Sequence, residues 1–568
     1  MKKVKVVSVY ILLLFCSTFL LNGCSEKKQK VSNEKPVLDK YQYINATLKD
    51  EPRTLDPSNA VDVNSKTVLA NVMEGLTRLE IDKDGNQVIK PAGAESWDVS
   101  SDGLTWTFHL KKNNWSDGTA VSAKDYVYGV KRTLDPKTNA IDAVLLSPIK
   151  NSMSYNNNRV KEDTVGVKAI DDNTLQFNLG YKCPYFLSLT YLNIMYPQRK
   201  DFVDKCGNSY GKTKDSFLYC GPFEIKDWTA SQKIILDKNQ NYWDKNSVKL
   251  ANVTFDFIRN ENDRESKIKN GTVDAAQCYN FKYEVSDANK HKISFVSQTE
   301  PTTYFNFFNQ KDNLFSNIKV RQAFILAVDR EDYIKRLSSN NLISAYSFTP
   351  PDVQVDKDKL YNNISDEPVS KLTKNNNNCK DLLISGLKEL KMDTDTSKLT
   401  INCISLGTDD ISRRNEDLIK YMYEKNLGIT IKVQYLGLSD YESKLSDGSF
   451  QIACGAICNS QFNDPESMLN IWTPDQSLYH TGYSSSDFNN LYNKADKADA
   501  GSRKDLLTNA EDQLICKDAI VSPIAYGKKT LAYYDYVKGV MYPMYGADID
   551  LKYAYTMGRE SGSTVNKK

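Results

Sequence analysis

Gly207, Gly211, Lys212 and Thr213 come nearest, in type and spacing, to a chemical motif in this 568-residue chain. A glycine-rich turn ahead of Lys-Thr can wrap backbone N–H groups and an ammonium around a phosphate. Here three residues separate the glycines where such a loop needs four, so no phosphate site is expected. Acidic pairs such as Asp409-Asp410 could divide acid and base roles, but they sit at a helix start, where a carboxylate caps exposed N–H groups. No His-Glu-x-x-His sequence occurs. His109, His291 and His480 are scattered, and Cys454 and Cys458 have three residues between them, so no tetrahedral metal set is expected. The chain reads as a protein that is not an enzyme and needs no cofactor or metal. A lipid-anchored exported hydrolase is the alternative from another class.

One thiol does have chemistry expected of it. Lys2, Lys3 and Lys5 precede an apolar run from Val6 to Leu21, which ends on Leu21-Asn22-Gly23-Cys24. The run is too short and too one-sidedly flanked for an ordinary membrane-spanning helix, so residues 1–23 are predicted to be a secretory signal. Its end resembles a lipoprotein processing box, which implies cleavage before Cys24 and a diacylglyceryl group on its sulfur. A plain secretory signal with an incidental cysteine is the competing reading. Residues 24–40 carry no apolar period and predict a solvated tether. The body is then extracytoplasmic and held at a cell membrane by lipid alone, since no later run of 18 apolar residues follows.

Losing residues 1–23 removes three lysines and no acid from 74 basic and 72 acidic side chains, leaving a net charge of −1. That balance argues against a nucleic-acid surface. Nine cysteines stay in the body, an odd number that leaves at least one thiol unpaired in a monomer. A chain this long needs no disulfide staples, so most of them are expected to be small buried apolar groups.

The elements alternate between strand and helix. Leu104, Trp106, Phe108 and Leu110 alternate with polar residues as a half-buried strand. Ser122 with Asp125 forms a capping box ahead of a helix carrying Val127, Val130 and Leu134. Leu418, Ile419, Met422 and Tyr423 mark a helix over 411–426, and Ile429, Ile431, Val433 and Tyr435 mark a strand. Helices are also predicted over Ile318–Val328, around Phe488, Leu491 and Ala495, and around Leu506, Leu507, Ala510 and Leu514. Lys374 to Asn378 reads as a loop insertion. The alternation suits two α/β lobes.

Several separated blocks carry a resemblance. They are Glu51 to Pro57, Glu74-Gly75-Leu76, Ala94 to Leu110 with Trp115 to Thr119, Gly221-Pro222-Phe223, Asn241-Tyr242-Trp243-Asp244, Val320 to Ala323 with Ala327 to Arg330, and Asn463-Asp464-Pro465 with Ser467 to Asn470. In this order they resemble the oligopeptide-binding proteins of bacterial ABC importers, in the peptide and nickel solute-binding family 5. The resemblance implies an α/β, two-lobed periplasmic-binding-protein-like fold of class II, or cluster C, with an extra small domain. It places lobe I at residues 41–74, 200–300 and 528–568, the extra domain at 75–199, and lobe II at 301–527. It also implies a monomer that takes an oligopeptide between its lobes and passes it to an ABC permease and ATPase complex. By position, Val61, Asp62 and Val63 face the ligand from one lobe, and Ala456, Ile457, Cys458, Asn459, Ser460 and Gln461 from the other.

The chain departs from the family at one point. Members carry an aspartate four residues before the proline of the Asn-Asp/Glu-Pro motif, where it pairs with the ligand's α-amino group. That place holds Gln461, or Ser460 with a one-residue insertion, and neither is ionised. The aromatic side chain that often accompanies the segment is replaced by Ile457 or Cys458. On the loop alone, acetylating a ligand's amine is expected to change affinity by less than about tenfold. A blocked peptide, an opine-like metal chelate or a glycan are therefore alternative ligands for the same kind of receptor.

Overall fold

The structure is a computed structural model that describes residues 37–559 apart from 84, 279–291, 338–340, 357–358, 362–366, 377, 475–478, 480, 496 and 499. The predicted signal over 1–23, Cys24, the tether up to residue 36, His291, His480 and residues 560–568 lie outside the described residues. The last part of the predicted tether is held by the fold: Leu38 bridges Met557, and Asp39 N–H donates to Thr556 O at 3.1 Å.

Two long strands organise the molecule. Ile293–Phe308 and Val521–Tyr534 run antiparallel along most of their length. On one side, Ile452–Asn459, Thr400–Leu406 and Thr430–Leu436 extend the sheet from Ile293–Phe308. On the other, Ala275–Cys278, Tyr43–Leu48, Asn252–Phe257, Lys233–Lys238 and Phe223–Thr229 extend it from Val521–Tyr534. Midway the register breaks: Thr299 faces Lys528 and Thr303 faces Tyr526, so Glu300, Pro301 and Thr302 stand against the single residue Gly527. Proline has no N–H to give a ladder, and a bulge is where a strand tolerates it.

Each half of this sheet has its own core. Phe305, Phe307, Phe324, Tyr423, Ile452 and Leu514 belong to one, which draws its buried residues from 305 to 524. Ile44, Leu69, Phe108, Phe177, Leu236 and Leu551 belong to the other, which spans residues 44–275 and 531–554 and takes in Phe462 as well. The second core includes a separate four-stranded antiparallel sheet of Ala94–Val99, Thr105–Leu110, Thr174–Asn178 and Val167–Ala169. Its inner face is aromatic, with Phe108 and Phe177 edge to face at 5.9 Å and Trp106 at 5.3 Å from Phe186.

The expected local signals form. Ser122 N–H donates to Asp125 Oδ2 at 2.8 Å at the head of Ala123–Leu134, which buries Val130 and Leu134. Asp409 caps Asp410–Leu427 by accepting from the N–H groups of Ile411 and Ser412, both at 3.0 Å. The run from Lys374 to Asn378 differs from its expectation. Pro368–Asn375 continues into it as helix, and Asn378 caps Cys379–Glu389.

The sequence blocks prove to be joints. Asp56 takes two hydrogen bonds from Arg132, at 2.6 and 2.8 Å, fastening the first block to the helix Ala123–Leu134. Glu74 accepts from Arg78 Nε at 3.0 Å, from the Tyr242 hydroxyl and from Trp243 Nε1 at 3.3 Å, while Arg78 also reaches Asp550. Gly221 packs so closely that a Cβ there would lie 2.5 Å from the backbone of Met73. Arg321 and Arg330 donate to the carbonyls of Asp518 and Pro523 at 3.0 and 2.8 Å, tying their helices to the start of the long strand.

All nine body cysteines are free: Cys183, Cys220, Cys278, Cys403, Cys454 and Cys458 are buried, and Cys206, Cys379 and Cys516 are half-buried. Burial pushes the Cys278, Cys458 and Cys516 thiols up to about 12, which keeps them protonated and unreactive. Titration of unreduced protein in denaturant should find these nine thiols, and native protein should expose only a few; a denatured value near one would mean that disulfides form.

Candidate functional site

Two adjoining cavities lie where the two cores meet. The larger, of about 1040 Å3, is bounded by Val144, Met153, Tyr181 and Tyr185 and by Ile457, Gln461, Ile471, Tyr479 and Tyr492. The smaller, of about 330 Å3, lies over the strand bulge and is bounded by Val61, Val63, Glu300, Pro301, Thr302, Asn459, Ser460, Gln461 and Asp548, among others. Asn459 and Gln461 border both.

The two sequence-predicted segments therefore do come together, though not every residue faces the gap. Val61 and Val63 line the smaller cavity. Asp62 lines neither, because its carboxylate caps Val63–Val72, accepting from Ser65 N–H at 2.9 Å and Ser65 Oγ at 2.6 Å. Ala456 is buried in the core of the 305–524 half and lines neither cavity, whereas Cys458, though buried in the same core with its sulfur 3.7 Å from Met468 Sδ, borders the larger cavity. Ile457, by contrast, is 44% exposed and borders the larger cavity, as β-strand alternation from buried Ala456 and Cys458 requires.

The loop after Ile452–Asn459 is held by its own hydrogen bonds. Ser460 N–H donates to Pro301 O at 2.7 Å, which joins the loop to the bulge. The Ser460 hydroxyl donates to Phe462 O at 2.7 Å, and Gln461 N–H donates to Ser467 Oγ at 2.7 Å. Asn463 accepts from Gln354 N–H at 2.8 Å and donates to Gln354 Oε1 at 3.0 Å. Asp464, only 2% exposed, is bound by both terminal nitrogens of Arg503, at 2.8 and 2.7 Å, and Arg503 also lies 3.2 Å from Glu466. The Asn-Asp-Pro motif is thus a structural knot. Asp464 has no room to serve a ligand amine.

Sequence reasoning missed the aromatic side chain of this loop. Phe462 leaves its own half of the molecule and stacks on Tyr185 with ring centroids 4.2 Å apart and planes 17° from parallel. The Tyr185 hydroxyl donates to Glu466 Oε1 at 3.4 Å. Position along the chain gave no hint of a contact across more than 270 residues. Also missed were the charges around the smaller cavity, Lys49, Lys66, Glu300, Lys529 and Asp548. For Glu300 one signal existed, the following proline inside a strand pattern, which marks a bulge.

Removing one member of a buried ion pair strands the other, at a cost of about 3–5 kcal/mol. Arg503→Met should lower stability by that order in a denaturant titration, and Arg503→Met with Asp464→Asn should recover part of the loss. A single variant as stable as the parent would show that the knot holds without its charges.

Residues 88–479 match the family model for bacterial extracellular solute-binding proteins, family 5. The dipeptide-binding protein DppE of Bacillus subtilis is 30% identical over 544 residues, covering 94% of this chain and 96% of its own. The oligopeptide-binding protein OppA of the same organism is 28% identical, covering 94% of this chain and 95% of its own. The structure of Listeria monocytogenes OppA bound to peptide matches with a TM-score of 0.68 at 26% identity, covering 91% of this chain and 99% of that one. The two-lobed α/β fold, the meeting of both predicted segments at one cleft and these matches over nearly the whole chain agree: the chain belongs to the bacterial extracellular solute-binding proteins of family 5.

Proposed function

We propose that the protein is a receptor that takes up peptides in the two cavities and delivers them to an ABC permease and its ATPase, while Cys24 anchors it to the membrane outside the cytoplasm. The observation that carries this reading is full-length similarity to the dipeptide- and oligopeptide-binding proteins of Bacillus subtilis. The geometry supports it. The strand Ile452–Asn459 ends at the cavities, and such a rim offers a peptide backbone hydrogen-bonding partners that ignore side-chain identity. A space of about 1040 Å3 leaves room for varied side chains with water between.

The lobe boundaries at 300/301 and 527/528 belong to the same proposal. They coincide with the register break, where the ladder is interrupted and rotation of one core against the other distorts fewest hydrogen bonds. No helix among the described residues is long and apolar enough to cross a membrane.

Native mass spectrometry of freshly purified protein should show a copurified mass that fragments as a peptide and leaves unchanged on denaturation. A glycan or metal chelate in its place would turn the assignment to another ligand, and a converted ligand would indicate an enzyme. Wild-type protein should sediment with membranes, whereas Cys24→Ala protein should be retained as precursor or shed. Equal processing and membrane retention of both would end the anchor assignment.

A further inference from the structure

The smaller cavity contains a carboxylate that accepts no hydrogen bond from the described residues. Glu300 lines it, half-buried, and among the described residues no hydrogen bond or ion pair ends on its side chain. The neighbouring charges are otherwise committed. Lys529 Nζ donates to Pro543 O at 2.7 Å and lies 3.5 Å from Asp548 Oδ1, and Lys66 Nζ lies 3.1 Å from Asp142 Oδ2. Burial raises the Glu300 carboxyl above its usual range even though Lys529 and Lys49 act against it. Burial in turn pulls the Lys49 ammonium down.

The backbone is built around this side chain. Glu300 is the first of the three residues that face Gly527 across the register break, and a bulge re-aims the side chains it carries. A Cβ on Gly527 would lie 2.6 Å from Glu300 Oε2, so the glycine leaves the slot that the carboxylate occupies. Pro301, next in the chain, holds the loop through Ser460, which puts Glu300 beside the uncharged Ser460 and Gln461.

We propose that Glu300 is the acceptor for an ammonium group on the ligand, supplying from the strand bulge the charge that the Ser460–Gln461 loop lacks. The inference rests on the peptide reading above. A carboxylate already desolvated and without a hydrogen bond gains more from a ligand ammonium than one in water does. It also replaces the expectation, drawn from the loop alone, that blocking the amine matters little.

The test is a competition. Purified full-length protein is offered a lysine-free library of short peptides, half of each sequence N-acetylated, and the captured pool is measured by mass spectrometry. The wild type should enrich free amines about tenfold or more, equivalent to about 1.4 kcal/mol. Glu300→Gln should bring the ratio within about threefold of unity, and an unfolding transition at the parent's midpoint reports that the fold is intact. Gly527→Ala keeps the charge but displaces it, and should reduce the enrichment in the same direction. Equal capture of both forms by the wild type, or an enrichment unchanged in both variants, overturns the proposal. A wild type that captures no peptide overturns the peptide reading, and this inference with it.

Discussion

The pairing of Ile293–Phe308 with Val521–Tyr534 is the constraint on which the rest of the molecule depends. Both strands belong to both halves, so each half inherits its orientation from one continuous ladder. A backbone N–H or C=O left unpaired inside such a sheet is costly, which confines irregularity to a place where it can be accommodated. Here that place is the stretch from Thr299 to Thr303, and the outer edge of the partner strand at Ala525 to Gly527 is covered by Leu342–Ser344. The smaller cavity sits over the same stretch. The proposed site and the proposed hinge would then be one piece of covalent structure, since Glu300 and Thr302 line the cavity and also form the register break.

Around that axis the buried charges act as pins. Arg132 with Asp56, Arg78 with Asp550, and Arg503 with Asp464 each join segments well apart in the chain. Desolvation cancels much of the attraction within such pairs, so their value lies more in specifying one arrangement than in net stability. Apolar packing supplies the stability, in two large cores, the second of which takes in Phe462 from the other half. This division explains why several of the conspicuous sequence blocks contain an arginine or acid among apolar residues. They mark joints, and the groups that face the cavities lie mostly outside them.

What the sequence made legible was local. The alternation through Phe108 and Leu110, the box at Ser122 and Asp125, and the Asp409 cap each depend on neighbours a few residues away, and each forms. The convergence of Val61 and Val63 with Asn459 to Gln461 was legible only through family resemblance, since nothing in either segment specifies the other. Asp62 and Ala456 show the limit of carrying positions over: a helix cap and a buried strand position claim their side chains. Nothing in the sequence links Asp464 to its partner Arg503, which lies 39 residues on. The stack of Phe462 on Tyr185 is a purely tertiary event.

That stack gives the cleft a memory of its own. Widening the larger cavity must part Tyr185 from Phe462 and bring the latter's ring, now 6% exposed, into water. An aromatic side chain buries about 150–250 Å2, and at about 25 cal/mol per Å2 its full re-exposure costs on the order of 4–6 kcal/mol. Any molecule that passes through that gap meets the ring contact, and one that leaves through it must first undo the stack. Residence time would then be set partly by two side chains that need not touch the cargo at all, and the same clamp would slow the release of every cargo alike, whatever its sequence.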